Sequence, residues 1–250
     1  MLNLIKISFL KEFWEIKNNK FKLVITTLFS IGILLLFYFK IVMNITDDIF
    51  GIQYITMLAF VFYLVMDSFS YTGNITINEL KLGTIENLII SPYNLITIIL
   101  VRLLINFIKT LVIASIIFLF LNYFSGINIS FELLSCILIA FLGVLSLYGI
   151  GITIASISIF SKEIQLMSSI LKMLILYLVL KVENPSVLIP FSHAKILLLD
   201  LLFNNMSVSD FSVLFLFNFI LNSIIYFMLG IVVFNKIEKL ALKNGAFSAT

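Results

Sequence analysis

The sequence predicts an all-α polytopic membrane protein, and its composition, the length of its apolar runs and the placement of its charges all support that fold class. Of the 250 residues, 62% are hydrophobic and 12% are charged, whereas a soluble domain has about 45–50% apolar and about 25% charged residues. The mean hydropathy is +1.18. These few polar groups cannot cover a surface that faces water, and the solvent is therefore predicted to be a lipid bilayer. No nucleic-acid partner is expected.

The chain opens with a charged segment, residues 1–20, that has the pattern of an amphipathic helix. At about 100° per residue, Ile5, Phe9 and Phe13 fall on one face of that helix. Trp14 suits the boundary between membrane and water. We therefore expect an interfacial helix that lies flat on the bilayer and leads into the first span. A passive anchor that only sets the topology is the alternative interpretation.

Six apolar segments are long enough to cross a hydrocarbon core of about 30 Å, which requires about 20 residues of helix. None of them alternates with period two, so each is predicted to be a transmembrane helix. The six-helix transmembrane domain is assigned to residues 21–250, and its predicted spans are Phe21–Met43, Ile49–Tyr71, Leu95–Leu121, Phe131–Phe160, Ile164–Val182 and Phe211–Phe234.

Positive charge collects on one side of this predicted bundle. Lys6, Lys11 and Lys17 precede the first span, and Lys236 and Lys239 follow the last. The opposite side has mainly carboxylates. By the positive-inside rule, both termini are expected in the cytoplasm, and the chain is assigned to the cell (plasma) membrane as a multi-pass protein.

The connection between the second and third spans, residues 76–92, contains local signals that a simple loop would not need. Thr76 and Glu79 have the spacing of a capping box, which predicts that a short turn of helix begins there. Gly83 suits the left-handed conformation that ends such a turn. The first part of the connection is therefore predicted to be a short helix on the cytoplasmic side.

A second short helix is predicted directly after this turn. Thr84 is a good N-cap residue, and Glu86 in the first turn complements the positive end of the helix dipole. Ser91 and Pro92 are then the cap and the first-position proline of the next long helix. The connection is therefore expected to contain two short helices and a sharp re-entry into the membrane.

The order of residues in this connection resembles the signature of type-2 ABC exporter permeases. The matching positions are Glu79, Lys81, Gly83, Thr84, Glu86, Leu88, Ser91 and Pro92. The resemblance implies that these residues form the coupling region on which an ATPase acts. The amphipathic start, the six spans and a short re-entrant segment before the last span, here residues 185–204, are also similar to that family.

The resemblance also implies which partners and cofactors to expect. The sequence contains no GxxxxGK[ST] phosphate loop, which is the motif that cradles nucleotide phosphates. The chain is therefore expected to bind no cofactor itself, while ATP and Mg²⁺ are bound by a separate partner. Two ABC ATPase subunits, a second permease copy (identical or a sister chain) and the lipid bilayer are the expected partners.

Ionisable residues inside the spans are candidates for function because each costs about 2.5–3.5 kcal/mol at the bilayer centre. Lys109 lies roughly halfway along the third span and is expected to face protein or a water-filled path. Asp67 lies near the cytoplasmic end of the second span and is predicted to pair with Arg102. Separate solvation of Asp67 and Arg102 at the interface is the alternative. Lys172 also lies within a predicted span, the fifth.

A run of small residues in the fourth predicted span, Gly143–Phe160, favours close contact between helix backbones. Gly149 and Gly151 belong to this run, and Gly151 forms a small-xxx-small pair with Ala155. Packing within one chain is one interpretation of this pattern. Packing at a seam between two permease copies is the other.

The resemblance implies a permease without enzymatic activity, which exports an amphipathic or hydrophobic substrate such as an antimicrobial (bacteriocin-like) peptide or a drug. Two other classes of function stay open at this point. An intramembrane peptidase would use Cys136 or His193. An ion-coupled secondary transporter without an ATPase would use Asp67 and Lys109 as its relay.

Overall fold

The computed structural model describes residues 2–18, 21, 25, 32, 49–125, 133–160, 164–181, 184–204 and 206–244. The predicted first span, Phe21–Met43, lies outside these described residues except for three isolated positions. Within the described ranges the secondary structure is entirely helical, as predicted.

Eight α-helices follow one another in the described part of the chain. They are α1 (Leu2–Asn18), α2 (Ile49–Lys81), α3 (Ile85–Ile90), α4 (Leu95–Ser125), α5 (Leu133–Ile157), α6 (Ile164–Lys181), α7 (Ser192–Phe203) and α8 (Val213–Lys243), with a 3-10 turn at Val208–Asp210. Three stretches among the described residues are long and apolar enough to cross a membrane, namely Leu95–Phe120, Leu134–Ile157 and Val213–Lys243. The described part of the chain is therefore all-α and contains helices suited to a membrane, while the count of six spans stays a prediction.

Helix α5 lies at the centre of the bundle. It packs along α2 on one side and α8 on the other, and α7 covers a further part of it. Most of α5 is buried inside the bundle, whereas most of α8 faces outward. Helices α4 and α6 pack against α2, and α1 packs against α4. Helix α2 thus connects the central helix to the helices on the other side of the bundle.

Two glycines allow α5 and α8 to cross with their backbones in contact. A Cβ atom added to Gly149 would lie 2.0 Å from the carbonyl oxygen of Tyr226, and one added to Gly230 would lie 2.3 Å from the carbonyl oxygen of Gly149. A Cβ on Gly151 would likewise lie 2.5 Å from the Cβ atom of Thr72 in α2. The predicted run of small residues therefore packs within the chain, where only hydrogen atoms fit between the helices.

Helix α2 extends past the predicted end of its span at Tyr71 and continues to Lys81. The prediction that a short helix begins at Thr76 is therefore wrong, because this residue lies inside a continuous helix. Thr76 and Glu79 are both buried, and Gly73 packs so closely on α6 that a Cβ atom there would lie 2.8 Å from the Ser168 hydroxyl oxygen. These tertiary contacts keep α2 helical through Thr76 and Glu79, although the spacing of these two residues is a local signal for the start of a new helix.

Helix α2 ends in the left-handed conformation that was predicted for Gly83, whose φ is 66°. The Gly83 amide donates to the Leu80 carbonyl at 3.2 Å, and the Thr84 amide donates to the Glu79 carbonyl at 3.0 Å. This pair of bonds is a Schellman motif, which satisfies the last carbonyls of a helix. The turn therefore stops a long helix rather than a short one.

The helix after α3 begins at Leu95, so the prediction that Pro92 is the first residue of the next long helix is wrong. Ser91 instead ends α3, since its amide donates to the Leu88 carbonyl at 3.3 Å. The Asn94 carbonyl accepts the first amide bonds of α4. Ser91 and Pro92 thus belong to a four-residue connection that separates α3 from α4.

The segment predicted to be re-entrant, residues 185–204, is a series of turns followed by α7. Asn222 and Tyr226 on α8 donate to the carbonyls of Val187 and Leu188, at 2.5 Å and 2.7 Å. These two donors lie one helical turn apart on α8. The turns before α7 are therefore tied to α8 through their backbone rather than through their side chains.

Two further hydrogen bonds hold α7 against its neighbours. Phe191, which has a φ of 65°, precedes α7, and its amide donates to the hydroxyl oxygen of Ser146 on α5 at 3.0 Å. The buried ammonium of Lys195 on α7 donates to the carbonyl of Leu180 at the end of α6, at 2.9 Å. Cations are stabilised at a helix C-terminus, so Lys195 stabilises the end of α6.

The crossing of α5 and α8 makes a prediction about Gly149. Gly149→Leu should lower the free energy of unfolding by about 1–3 kcal/mol or prevent folding, because the added side chain meets backbone that cannot move aside. Reversible unfolding in mixed detergent micelles measures this change. Leu229→Ala is the control, since Leu229 lies beside the crossing on the exposed side of α8. Equal stability of the two variants would contradict the assigned contact.

Candidate functional site

Three side chains from different parts of the chain meet the carboxylate of Glu79 near the end of α2. The Arg102 guanidinium on α4 donates from Nη1 to Oε1 of Glu79 at 2.7 Å. The Lys11 ammonium on α1 also binds Oε1, and the Thr84 hydroxyl donates to Oε2. We call these four residues the Glu79 cluster. It joins α1, α2, α4 and the turn that leads into α3.

The charges at the centre of the Glu79 cluster are removed from water. Glu79 and Arg102 are 5% and 7% exposed. Burial alone would raise the pKa of the Glu79 carboxyl, but the hydrogen bonds from Lys11 and Thr84 and the charge of Arg102 lower that pKa below its ordinary value overall. Glu79 lies beyond the end of the predicted second span. The carboxylate is therefore ionised and saturated with donors at neutral pH.

Apolar packing positions the two cations of the Glu79 cluster. Leu4 on α1 packs against Ile98 and Val101 on α4, which places the polar face of α1 beside the end of α2. The same contacts fix Arg102 one residue further along α4. The positions of Lys11 and Arg102 opposite Glu79 thus follow from how α1 lies on α4, which no short stretch of sequence shows.

The turn after α2 leads directly into α3, whose N-cap position is occupied by Thr84. The expectation that the Thr84 side chain caps α3 is wrong, because its hydroxyl makes no capping bond. That hydroxyl donates to Glu79 instead, which leaves it directed back toward α2. Glu86 lies in the first turn of α3, as the helix dipole favours.

The inner face of α3 contacts the ends of several long helices. Ile85 is buried in a cluster with Leu80 of α2, Ile159 just after α5 and Ala241 of α8. Leu88 packs with the apolar contacts between α1 and α4. A displacement of α3 therefore reaches all of these helices through packed side chains, without an intervening flexible segment.

The outer face of α3 and the turn before it point away from the bundle. Leu82 and Ile90 are 67% and 82% exposed, and the charged Lys81 and Glu86 lie beside them on the same surface. We call Lys81, Leu82, Glu86 and Ile90 the α3 surface. It combines two large apolar side chains with two charged ones on an exposed surface.

The eight residues of the signature divide into an inner and an outer group. Glu79 is buried, and three others are half-buried, namely Thr84, Leu88 and Ser91. The four exposed members are Lys81, Gly83, Glu86 and Pro92. The signature therefore combines residues that hold α3 to the bundle with residues that face outward.

Asp67 and Arg102 do not pair, so that prediction is wrong. The Thr110 hydroxyl on α4 donates to Oδ2 of Asp67 at 2.5 Å, whereas Arg102 binds Glu79. Asp67 and Glu79 lie on one continuous helix, and twelve residues of helix separate them by about 18 Å. A single arginine cannot reach both carboxylates.

The lysines inside the bundle turn toward α2. The ammonium of Lys109 on α4 lies 5.0 Å from the centre of the Tyr71 ring, a cation–π contact. The ammonium of Lys172 on α6 donates to the Ser70 hydroxyl at 3.1 Å. Both lysines are half-buried, and both face the same turn of α2.

Ser192 and His193 have packing partners at the start of α7. The Ser192 hydroxyl donates to the carbonyls of Ser186 and Ile189, at 2.9 Å and 2.8 Å. The His193 ring lies edge-on against the ring of Phe215, with their centres 5.3 Å apart. These contacts give both side chains a structural role in the connection between α6 and α8.

A comparison with known protein families finds a match that includes the candidate site. A family model described as "ABC-2 type transporter" matches residues 3–180. That range contains α1, the Glu79 cluster and the α3 surface. No curated protein and no solved structure matches the chain.

The buried ion pair at the centre of the Glu79 cluster predicts a coupled effect of two substitutions. Glu79→Leu should lower the free energy of unfolding by about 3–5 kcal/mol, because it leaves the buried Arg102 guanidinium without its carboxylate. Arg102→Met should cost less, because Glu79 keeps the Lys11 ammonium and the Thr84 hydroxyl as partners. The double variant should regain most of this loss. Lys11→Met should cost at most about 1 kcal/mol, since the Lys11 side chain is 34% exposed. Reversible unfolding in mixed micelles measures all four variants, and additive losses would contradict the pairing.

The lowered pKa of Glu79 predicts how the attachment of α1 depends on pH. The ionised carboxylate stabilises the cluster fully above its ordinary pKa of 4.5, and this contribution is lost as the pH falls through the lower folded value. The single tryptophan of the chain, Trp14, lies on α1. Its fluorescence anisotropy should therefore stay constant from neutral pH down to the ordinary value and fall only at more acidic pH.

A matched variant separates Glu79 from other acidic groups in that titration. Glu79→Gln cannot ionise, so its anisotropy should show no transition that begins at the pKa of Glu79. A transition near neutral pH in the unsubstituted chain, or an unchanged acidic transition in Glu79→Gln, would contradict the assignment.

Proposed function

Because this chain belongs to the ABC-2 type transporter family, we propose that it is the membrane permease subunit of an ATP-driven exporter. The observation that supports this proposal most directly is the two-sided arrangement of α3. Its outer face is exposed and mixed in character, while its inner face is packed against the ends of the long helices. A short helix placed in this way can receive a force from one protein and pass it into another.

The residues of this chain would transmit the motion in two steps. An ATPase that closes on ATP displaces the α3 surface, and Ile85 carries the displacement to α2, α5 and α8 through direct packing. The Glu79 cluster makes α1 and α4 follow the same movement. The helices then exchange between two arrangements that differ in which side of the membrane is accessible, and ATP biases the equilibrium between them.

The proposed assembly contains two ATPase subunits and a second permease copy, because each chain supplies one α3 surface. ATP and Mg²⁺ are bound by the ATPase subunits. Both termini are assigned to the cytoplasm of a cell whose plasma membrane holds the chain. Supporting this, Lys11 near the start and Ala241 near the end of the described chain both lie at the α3 end of the bundle.

The proposed cargo is amphipathic or hydrophobic, with an antimicrobial peptide or a drug as examples. The outward-facing side chains of α4 and α8 are mostly large and apolar, and few fixed charges line the helices. Export of a toxic peptide would serve either its secretion or the protection of the cell that makes it.

The α3 surface predicts which substitutions separate the permease from its ATPase. Ile90→Glu and Glu86→Lys should each reduce the amount of ATPase that co-purifies with the tagged chain by about tenfold, because both change exposed contacts at the centre of the proposed interface. Gly83→Val should have a similar effect, since a β-branched residue disfavours the positive φ of this position. Co-purification from membranes and nucleotide hydrolysis by the complex are the measurements.

Met206→Glu is the control for these variants. Met206 is 43% exposed and lies between α7 and α8, away from α3 in the chain. This variant should keep the ATPase bound. Loss of the ATPase from Met206→Glu as well, or normal co-purification of Ile90→Glu and Glu86→Lys, would contradict the proposed coupling surface and favour an ion-coupled transporter.

A further inference from the structure

One turn of α2 is unusually polar for a helix inside an apolar bundle. From residue 67 to residue 72, five of the six side chains are polar or carry a hydroxyl group, namely Asp67, Ser68, Ser70, Tyr71 and Thr72. Polar partners approach this turn from α4 and α6, and Gly151 of α5 packs directly against Thr72. We call residues 67–72 the polar turn. A helix that served only to cross lipid would not concentrate hydroxyl groups at one level.

Two ammonium groups flank the polar turn. Lys109 lies over the ring of Tyr71, with its nitrogen 5.0 Å from the ring centre, and Lys172 reaches the Ser70 hydroxyl at 3.1 Å. Ser70 and Tyr71 are neighbours on α2, so the two cations approach the same turn from α4 and from α6. Among the residues that the structure describes, neither lysine forms an ion pair with a carboxylate.

The two lysines lie at a common depth below the coupling end of the bundle. Tyr71 lies eight residues before Glu79 on α2, and Lys109 lies seven residues after Arg102 on α4. At about 1.5 Å per residue, these distances are about 12 Å and about 10 Å. Because Glu79 and Arg102 are in contact, both distances start from the same level of the bundle. They place Tyr71 and Lys109 at about the same depth. The polar turn therefore lies inside the bundle, where an unpaired ammonium is costly and is expected to have a partner.

The local charge balance at the polar turn is positive. Asp67 is the acidic residue of the turn, and its carboxylate already accepts the Thr110 hydroxyl. Two lysines and one aspartate leave one net positive charge. The buried side chains of Ser68 and Asn106 nearby lie beside the Tyr148 hydroxyl. The site thus offers positive charge to a ligand.

The surroundings of the two lysines suit an apolar chain attached to such a ligand. Ile108 precedes Lys109 on α4 and is exposed, and Met173 and Leu174 follow Lys172 on α6 and are exposed as well. Each lysine therefore lies at the border between the polar turn and an apolar outer surface. A molecule with one acidic group and one apolar part matches both sides of this border.

We propose that Lys109 and Lys172 bind the acidic group, a carboxylate or a phosphate, of an amphipathic molecule at the polar turn. This inference rests on the proposed function and defines its cargo class as an acidic amphiphile. The ammonium groups donate charge-assisted hydrogen bonds to the acidic group, and Ser70 holds Lys172 in place. The same chemistry is present in an exported cargo and in the headgroup of a resident anionic phospholipid.

Binding to the full chain alone tests this proposal without nucleotide or ATPase. The protein is purified in an uncharged detergent and titrated with a fluorescent long-chain fatty acid and with the fluorescent alcohol of the same chain. The fatty acid should bind more tightly. Lys109→Gln and Lys172→Gln should each weaken its binding by about tenfold or more, while binding of the alcohol changes little. Lys109→Arg and Lys172→Arg should keep most of the affinity.

Lys181→Gln is the matched control, because the Lys181 ammonium also lies over a tyrosine ring, 5.5 Å from the centre of Tyr177, but at the end of α6. This variant should bind the fatty acid normally. Equal binding of acid and alcohol by the unsubstituted chain, or an equal loss of acid binding in Lys181→Gln, would overturn the proposal. Neither result would affect the expected co-purification of the ATPase. The binding proposal can therefore fail while the proposed permease function stands.

A second arm distinguishes the two sources of the acidic group. The chain is placed in nanodiscs of phosphatidylcholine with or without phosphatidylglycerol, and the fatty acid is titrated again. Competition by phosphatidylglycerol that is lost in Lys109→Gln assigns the site to a lipid headgroup. Undiminished fatty-acid binding in phosphatidylglycerol assigns the site to a cargo. Absence of lysine-dependent binding in both kinds of nanodisc would overturn the proposal.

Discussion

The ion pair and hydrogen bonds of the Glu79 carboxylate are the interactions on which the α3 end of this bundle depends. The carboxylate is buried, so it requires donors, and it takes them from α1, from α4 and from the turn before α3. Removing Glu79 would leave the buried Arg102 guanidinium without its carboxylate in a place that water does not reach. One side chain thereby holds three elements that are far apart in the sequence, and the inner face of α3 can pack only because those elements are in place.

The predicted apolar runs locate the long helices well, because a helix in lipid must satisfy its own backbone. The predicted start at Leu95 coincides with the start of α4. The errors occur where local capping signals compete with tertiary contacts. Thr76 has the spacing of a cap, yet buried packing continues α2 through it. Pro92 fits the first position of a helix, yet α4 begins three residues later.

The sequence predicted a set of residues for the candidate site, but it did not predict how those residues contact one another. The signature residues lie close together in the sequence, so their pattern is readable, and the φ of Gly83 followed from its residue type. The two cationic partners of Glu79 are 68 and 23 residues away, and their contact with Glu79 depends on how α1 lies on α4. The predicted pairing of Asp67 with Arg102 was wrong for a related reason. Helix α2 continues past the predicted end of its span, and Arg102 binds Glu79 near the actual end of that helix, far from Asp67.

The unbroken course of α2 has a thermodynamic consequence. The polar turn and Glu79 lie on one rigid rod, about 12 Å apart along its axis. A molecule that tilts this rod by binding at one end changes the affinity for a protein bound at the other end, and reciprocity requires that each affects the other by the same factor. A loop in the middle of α2 would have absorbed the tilt and made the two ends independent. The continuity of a single helix therefore decides whether occupancy of the polar turn is communicated to the Glu79 end of the bundle.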